Sequence, residues 1–138
     1  MRFMIIVRGN ALSETGAMPD DDLMAAMAAY HEELSKAGVL LDATGLHPTS
    51  KGWRIQYAPD GGRKIIDGPF TESKELVAGY TIIQVRSRDE ALEWTRRFPA
   101  PFGNEMASEI EVRQLYELED FEEVPSSQRF RDLEASRK

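Results

Sequence analysis

The sequence predicts a single α+β domain in which two helices cover one face of an antiparallel sheet. Three observations lead to this prediction. The chain has 138 residues, about the size of one domain. Its composition, 41% apolar and 30% charged, is that of an ordinary globular protein. Its apolar residues change between strand-like and helical spacing in the order strand, helix, strand with a hairpin, strand, helix, strand.

The first third of the chain predicts a strand, a helix and a second strand. The apolar run 3–7 is typical of a strand buried on both faces. Pro19 and the three aspartates after it predict a helix start, because carboxylates suit the positive end of the helix dipole. An apolar helix face follows at Leu23, Met27, Tyr30 and Leu34. Gly38 is expected to end this helix, and residues 39–41 predict the second strand.

The middle of the chain predicts a β-hairpin. Trp53, Ile55 and Tyr57 alternate with polar residues, which is the period of a strand. The Pro-Asp-Gly-Gly sequence at 59–62 is a strong turn signal, and 64–67 is the expected partner strand.

The last third predicts a strand, a helix and a strand. Residues 79–85 are the most strand-like segment of the chain. Ser87 and Glu90 fit a capping box for the second helix, which is expected to bury Leu92. A final strand is expected at 109–118. This order is the ferredoxin-like βαββαβ plan with an inserted hairpin.

The second face of the predicted sheet needs a cover that the chain cannot supply. The strands that begin at Phe3 and Gly79 are apolar on both faces, and two helices cover only one of them. We therefore predict a homodimer that packs sheet against sheet in an α+β barrel. The domain is expected to span 1–121, and 122–138, a stretch of mixed charge, is expected to be a peripheral tail.

Composition excludes several classes of function. The formal charge of −7 argues against a nucleic-acid binder. Without cysteine there is no disulfide, thiol nucleophile or zinc–thiolate site, and two histidines make a poor metal site. No glycine-rich loop indicates a phosphate cradle, so no cofactor is predicted. The first apolar run is too short for a signal peptide or a membrane span, and we predict a cytoplasmic protein without membrane or nucleic-acid partners.

Four blocks of sequence occur in a specific order along the chain. They read AGVLLDATGLHPTSKG, DGPFTESKELVAGY, RSRDEALEWTRRFP and IEVRQLYELEDF. With these blocks, residues 1 to about 121 resemble the YCII-related family, in the branch called after its Asp-Gly-Pro-Phe signature. The resemblance implies a dimeric α+β barrel of ferredoxin-like type but no settled reaction.

The resemblance also implies three functional associations. The wider family is similar in fold to small enzymes that handle aromatic lactones. A His–Asp active site has been suggested for some of its members, and members of this branch are often associated with extracytoplasmic-function sigma factors. This chain departs from the family pattern at 43–46, where Ala-Thr-Gly-Leu replaces Gly-Glu-Gly-Leu. Thr44 cannot take an acid–base role that a glutamate would have there.

Asp67 and His47 are the candidate catalytic residues. Asp67 is interpreted either as a turn former that accepts hydrogen bonds from downstream amides or as a general base at the rim of the sheet. His47, held before Pro48 in extended geometry, is either a surface residue or the partner of Asp67, because both flank the inserted hairpin. His31 is interpreted as a partly buried structural histidine.

Four further residues are candidates for binding a ligand, each with a structural alternative. Phe70 either lines a cleft or fills the core behind its turn, and Tyr80 is expected to be half-buried with its hydroxyl towards water or a pocket. Arg54 is either a surface residue or a contact for an anionic ligand. Glu75 belongs either to a solvated turn or to the pocket.

Two functions stay open at this point. The first is small-molecule binding in a cleft lined by His47, Asp67, Phe70 and Tyr80, with or without proton transfer, so that the sequence does not decide whether the protein is an enzyme. The second is a regulatory partner of a sigma factor. Its candidate contact is the acidic run Glu117, Glu119, Asp120, Glu122 and Glu123.

Overall fold

The computed structural model describes residues 1–121 and 123–137, and for Ser73 only the backbone. Within these residues the strands are β1 Arg2–Arg8, β2 Leu40–Gly45, β3 Trp53–Tyr57, β4 Arg63–Asp67, β5 Val77–Gln84 and β6 Ile110–Gln114. The helices are α1 Ala11–Glu14, α2 Asp21–Lys36, α3 Arg88–Arg96 and α4 Ser127–Ser136. Short 3-10 turns occur at Thr49–Lys51, Ser73–Glu75 and Leu118–Phe121.

Four strands form an antiparallel sheet in the order β2-β5-β1-β6. This order, with helices α2 and α3 in the two crossover connections, confirms the ferredoxin-like plan. Strands β3 and β4 form a separate two-stranded sheet, which confirms the inserted hairpin. The packing of two such sheets into a dimeric barrel stays a prediction.

Helix α2 begins and ends where the sequence predicts. The side chain of Asp20 accepts a hydrogen bond from the Leu23 amide at 2.8 Å and so caps the helix. Gly38 has a φ of +74°, the left-handed conformation that favours glycine after a helix. Of the predicted apolar face, Tyr30 and Leu34 are buried, whereas its N-terminal half is only partly buried.

Helix α3 is rotated relative to the prediction. Ser87 caps it as expected, because its hydroxyl accepts from the Glu90 amide at 3.1 Å. The prediction that Leu92 is buried is wrong, since 41% of that residue is exposed. Ala91 and Thr95, four residues apart and therefore on one side of the helix, are buried instead.

The core lies between the sheet and helices α2 and α3, and most of its buried residues lie towards one end. At the end where β1 starts and β5 finishes, which we name the closed end, Phe3, Leu34 and Ile83 are 0–6% exposed. At the opposite end, which we name the loop end, Val7 and Ile110 lie on the same side of the sheet but are only half-buried.

The other side of the sheet faces away from helices α2 and α3. We name it the open face. The residues that alternate with the core positions of β1 and β5 are apolar or aromatic, and each is half-buried: Met4, Ile6, Tyr80 and Ile82. The sheet is therefore apolar on both sides, as its strand patterns predict.

The remaining differences are short elements and shifted boundaries. Residues 11–14, expected in a loop, form helix α1, which is capped by Asn10 and Ser13. The last strand is shorter than predicted. The predicted tail contains α4, whose first residue Ser127 is buried, while Glu122 and Lys138 lie outside the described residues. In the described ranges no helix is both long and apolar enough to cross a membrane.

Candidate functional site

The loop end of the sheet collects most of the residues that the sequence singled out. Strand β1 leads there into α1, and β2 leads into the loop that contains His47. The hairpin returns there through the segment 68–76, and the segment 97–109 arrives from α3. Antiparallel pairing thus places four connections at the loop end of the sheet. Connecting loops are a common place for functional residues.

The Asp-Gly-Pro-Phe sequence makes its closest contact at Gly68. A Cβ atom at this position would lie 1.8 Å from the Thr49 carbonyl oxygen, so only glycine fits there. The Gly68 amide donates a hydrogen bond to the Gly52 carbonyl at 3.0 Å, and the peptide bond to Pro69 is cis. The root of the hairpin is therefore packed backbone against backbone.

Thr49 joins this root to helix α1. Its amide donates to the Glu14 carboxylate at 3.2 Å, and its hydroxyl donates to the other oxygen of the same carboxylate. The Phe70 amide in turn donates to the Thr49 hydroxyl at 2.9 Å. We name Glu14, Thr49, Gly68 and Phe70 the clasp, because these residues tie α1, the His47 loop and the hairpin together.

Three of the predicted ligand residues meet beside the clasp. The guanidinium carbon of Arg54 lies 3.8 Å above the centre of the Phe70 ring, and its Nη2 is 3.4 Å from Glu75 Oε2. Phe70 is half-buried and is covered by Arg54 rather than by the core. The structure therefore brings Arg54, Phe70 and Glu75 into one cluster, which we name the arginine cluster.

Tyr80 lies elsewhere, on the open face. Its hydroxyl donates a hydrogen bond to Asp42 Oδ2 at 3.1 Å. This bond to a carboxylate raises the pKa of Tyr80 above its ordinary value. The half-buried ring agrees with the sequence, but the hydroxyl binds an acidic side chain of the neighbouring strand, which the sequence did not indicate.

The structure does not join His47 to Asp67. Both side chains are exposed, and within the described ranges no hydrogen bond or ion pair connects them. Asp67 lies opposite Trp53 in the hairpin, and in that part of the chain its carboxylate accepts no hydrogen bond from a downstream amide. Thr49 and Gly68 organise the turn instead. The His47–Asp67 pair stays a prediction.

His31 contacts a residue that the sequence reasoning missed. Its Nδ1 is 2.8 Å from the Met27 carbonyl oxygen, and its Nε2 is 2.8 Å from Thr81 Oγ1. Because a carbonyl only accepts, we assign the proton to Nδ1, and Nε2 then accepts from the Thr81 hydroxyl. The alternation of β5, which places Thr81 on the same side as buried Ile83, is the signal that predicts its burial.

A cleft of about 440 Å³ opens between the start of α2 and the segment after α3. Its walls are partly acidic, with Asp20, Asp22 and Glu105, and partly apolar, with Leu23 and Phe102. The sequence did not predict this cleft, because its two walls are about eighty positions apart. Among the described residues there is no group of three or more side chains placed to hold a metal ion.

Comparisons with known proteins agree with the resemblance given above. The model of the YCII-related domain matches residues 1–119. An uncharacterised protein of Rhizobium meliloti (strain 1021) is 31% identical over 96 residues, which are 70% of this chain and 75% of that protein. The solved structure of 5-chloro-2-hydroxyhydroquinone dehydrochlorinase from Burkholderia phenoliruptrix AC1100, in complex with 2,5-dihydroxybenzoquinone, is 16% identical with a TM-score of 0.43. That match covers 84% of this chain and 94% of the dehydrochlorinase.

Proposed function

The chain belongs to the YCII-related domain family, and from this premise we propose that it binds a small organic anion at the arginine cluster. The observation that carries this proposal is that the Arg54 guanidinium is held in place while its hydrogen-bond donors are not used by the described residues. It is stacked on Phe70, yet among the described residues it donates no hydrogen bond to the protein. A guanidinium offers five donors in a planar fork that matches a carboxylate.

The stack prepares Arg54 for binding. A ring 3.8 Å below the guanidinium restricts its rotation, so less side-chain entropy is lost when a ligand binds. The side chain of Arg54 is 42% exposed, which leaves its edge accessible from solution. A carboxylate on the ligand would meet an oriented donor rather than a mobile one.

Glu75 is the competitor that the ligand must displace. Its contact with Arg54 is long, at 3.4 Å, and its side chain is 60% exposed. Exposed ion pairs of this kind contribute about 0–1 kcal/mol, so a ligand that makes two good hydrogen bonds can replace it. We therefore expect the Glu75→Gln variant to bind carboxylates more tightly than the wild-type protein.

The test uses benzoate and acetate as probes, with benzamide as the uncharged control ligand. We expect benzoate to raise the melting temperature of the wild-type protein and of Glu75→Gln, and to have no such effect on Arg54→Ala. Arg63→Ala is the matched control, because Arg63 also stacks on an aromatic ring of the hairpin, at 4.9 Å from the centre of Tyr57. The proposal is wrong if no carboxylate stabilises the wild-type protein, or if Arg54→Ala still responds.

Proton transfer by His47 and Asp67 is the second part of this proposal. It is supported by their positions in the chain: His47 lies in the loop between β2 and the hairpin, and Asp67 is the last residue of the hairpin. The variants His47→Gln and Asp67→Asn keep the approximate shapes of the side chains and remove the acid–base function. If a bound compound is converted by the wild-type protein, both variants should lose conversion while they keep binding. Unchanged conversion in either one contradicts the pair.

The proposed assembly is a homodimer formed through the open face. Its support is the apolar side of β1 and β5 that lies opposite helices α2 and α3 and whose side chains are half-buried. One chain has a mass of 15.6 kDa, and light scattering should give twice this mass. Ile82→Lys, which places a charge in the middle of this face, should give monomers.

The regulatory alternative has less support. Within the acidic run, Glu117 is 2.9 Å from the Arg2 guanidinium, and Asp120 accepts a hydrogen bond from the Glu117 amide at 2.8 Å. These two side chains therefore hold the chain after β6 in place. Glu122 of the run lies outside the described residues. The association with a sigma factor stays a prediction, as does the cytoplasmic location.

A further inference from the structure

The hairpin of β3 and β4 is separate from the four-stranded sheet. In the residues that the structure describes, its strands pair only with each other, and the clasp at its root joins it to α1. A two-stranded hairpin alone is marginally stable in water, so a packing surface is expected for it. We name residues 53–67 the arm.

One face of the arm carries an exposed apolar patch, which Asp67 and Arg63 flank at its two ends. Trp53, Ile55 and Tyr57 lie on the same side of β3, and Ile65 lies directly opposite Ile55. These four residues are 64%, 43%, 67% and 68% exposed, in that order. A contiguous patch of aromatic and branched side chains on a small domain marks a surface that another molecule covers.

The arm and its root are the basic part of an acidic chain. Residues 51–67 contain four basic and two acidic side chains, which is a formal charge of +2. Because the whole chain has a charge of −7, the remainder has a charge of −9. The rest of a second copy therefore has a net charge opposite to that of the arm and its root, and a two-fold axis would allow each copy to give one arm and receive another.

We propose that the apolar face of the arm is buried on a second copy of this chain. The contact adds to the open-face contact proposed above, and it does not depend on the anion site. It explains why a hairpin with so many exposed apolar side chains persists on a protein of this size: its packing partner is the other subunit.

The experiment measures the dissociation constant of the dimer by sedimentation over a range of micromolar concentrations. Ile55→Lys places a charge on the apolar face of the arm and should raise this constant at least about 30-fold. Gln56→Lys is the matched control: it adds the same side chain at the next position of β3, on the opposite face, and should leave the constant within about threefold. Circular dichroism checks that both variants are folded.

A second readout uses Trp53 itself. In a Trp94→Phe variant, Trp53 is the remaining tryptophan of the two in the chain. Its emission should be blue-shifted at concentrations where the protein is dimeric and should move to the red when the protein is diluted into monomers.

Two results would overturn the proposal. One is a wild-type protein that stays monomeric at high micromolar concentration. The other is a dimer that Ile82→Lys dissociates while Ile55→Lys and Ile65→Lys leave its dissociation constant unchanged. That second result would keep the open-face dimer and remove the arm from its interface.

Discussion

At the closed end of the sheet, Phe3, Leu34 and Ile83 belong to one hydrophobic core cluster between the helices and the sheet, and all three are almost completely buried. At the loop end, the elements are joined by hydrogen bonds of Thr49 and by the close approach of Gly68. Leu76 is 3% exposed there, whereas the other side chains of this end are half-buried or exposed. Apolar burial is non-directional and stabilises the whole fold, whereas hydrogen bonds and backbone contacts fix positions. Apolar burial at the closed end therefore stabilises the protein, whereas hydrogen bonds and backbone contacts at the loop end position the residues of its candidate site.

The largest effect is expected at the closed end. Leu34 is 0% exposed, so Leu34→Ala leaves a cavity in the core and should lower the free energy of unfolding by about 3 kcal/mol. Leu133→Ala in α4 is the control, because Leu133 is 59% exposed and should change stability by less than about 0.5 kcal/mol. Urea denaturation measures both. Equal effects would contradict the assignment of the core to the closed end.

The next effect concerns the clasp. Gly68→Ala forces the backbone of residues 49–50 to move and should cost about 2 kcal/mol. Gly52→Ala lies in the same loop, but its Cβ would be 3.8 Å from the nearest atom, an ordinary contact. We expect hydrogen exchange at the Phe70 amide to accelerate in the first variant and to stay unchanged in the second. Faster exchange throughout the sheet would mean that the clasp stabilises the fold as a whole.

A smaller effect is expected from the clasp hydroxyl. Thr49→Val leaves the Phe70 amide and the Glu14 carboxylate without this partner and should lower stability by about 1.5 kcal/mol. Thr49→Ser keeps the hydroxyl and should recover most of that loss. Calorimetry on the three proteins measures the difference. If serine does not restore stability, the methyl group rather than the hydrogen bonds is what matters at this position.

The smallest effect concerns a polar group inside the apolar core. Tyr30→Phe removes the hydrogen bond from the hydroxyl to the Trp94 carbonyl, 2.8 Å in length, and should cost about 1 kcal/mol near pH 8. Burial raises the pKa of Tyr30 to about 12 from its ordinary value of 10.0. The unfolded chain therefore loses this proton first, and the contribution of Tyr30 to stability should decline as the pH rises from 10 to 12.

The difference in the free energy of unfolding between the wild-type protein and Tyr30→Phe isolates the titration of Tyr30, because all other titrating groups are the same in both proteins. Denaturation at pH 9 and again above pH 11 should show the stability advantage of the wild-type protein shrinking relative to Tyr30→Phe. An advantage that stays constant with pH would mean that the hydroxyl does not titrate differently in the folded and unfolded chains.

Much of the fold follows from local patterns. The apolar runs of β1 and β5, the aspartates at the start of α2, the Ser87 cap and the Gly38 stop each depend on residues close together in sequence, and each is found in the structure. The exposure of Leu92 was not predicted, because the register of a short helix against the sheet depends on tertiary packing.

The site was only partly predictable. Arg54, Phe70 and Glu75 were selected separately for their chemistry, and their meeting depends on how the hairpin root folds over the 3-10 turn at Thr49–Lys51. Thr49 itself has no sequence signal, because threonine in a loop is common. The cleft beside α2 likewise needs two distant segments to meet, which periodicity within one segment cannot indicate.

The clasp also decides how the arm could be exchanged. The arm is joined to α1 through residues 49–52 and 67–70, and its strands take no part in the four-stranded sheet. The arm is therefore a replaceable module. A hairpin of another length or sequence could be grafted between Gly52 and Gly68 without disturbing the core, provided that Gly68 still fits against Thr49. The Asp-Gly-Pro-Phe sequence is thus the attachment point of the hairpin, and the hairpin that it attaches can vary in length and sequence independently of the sheet.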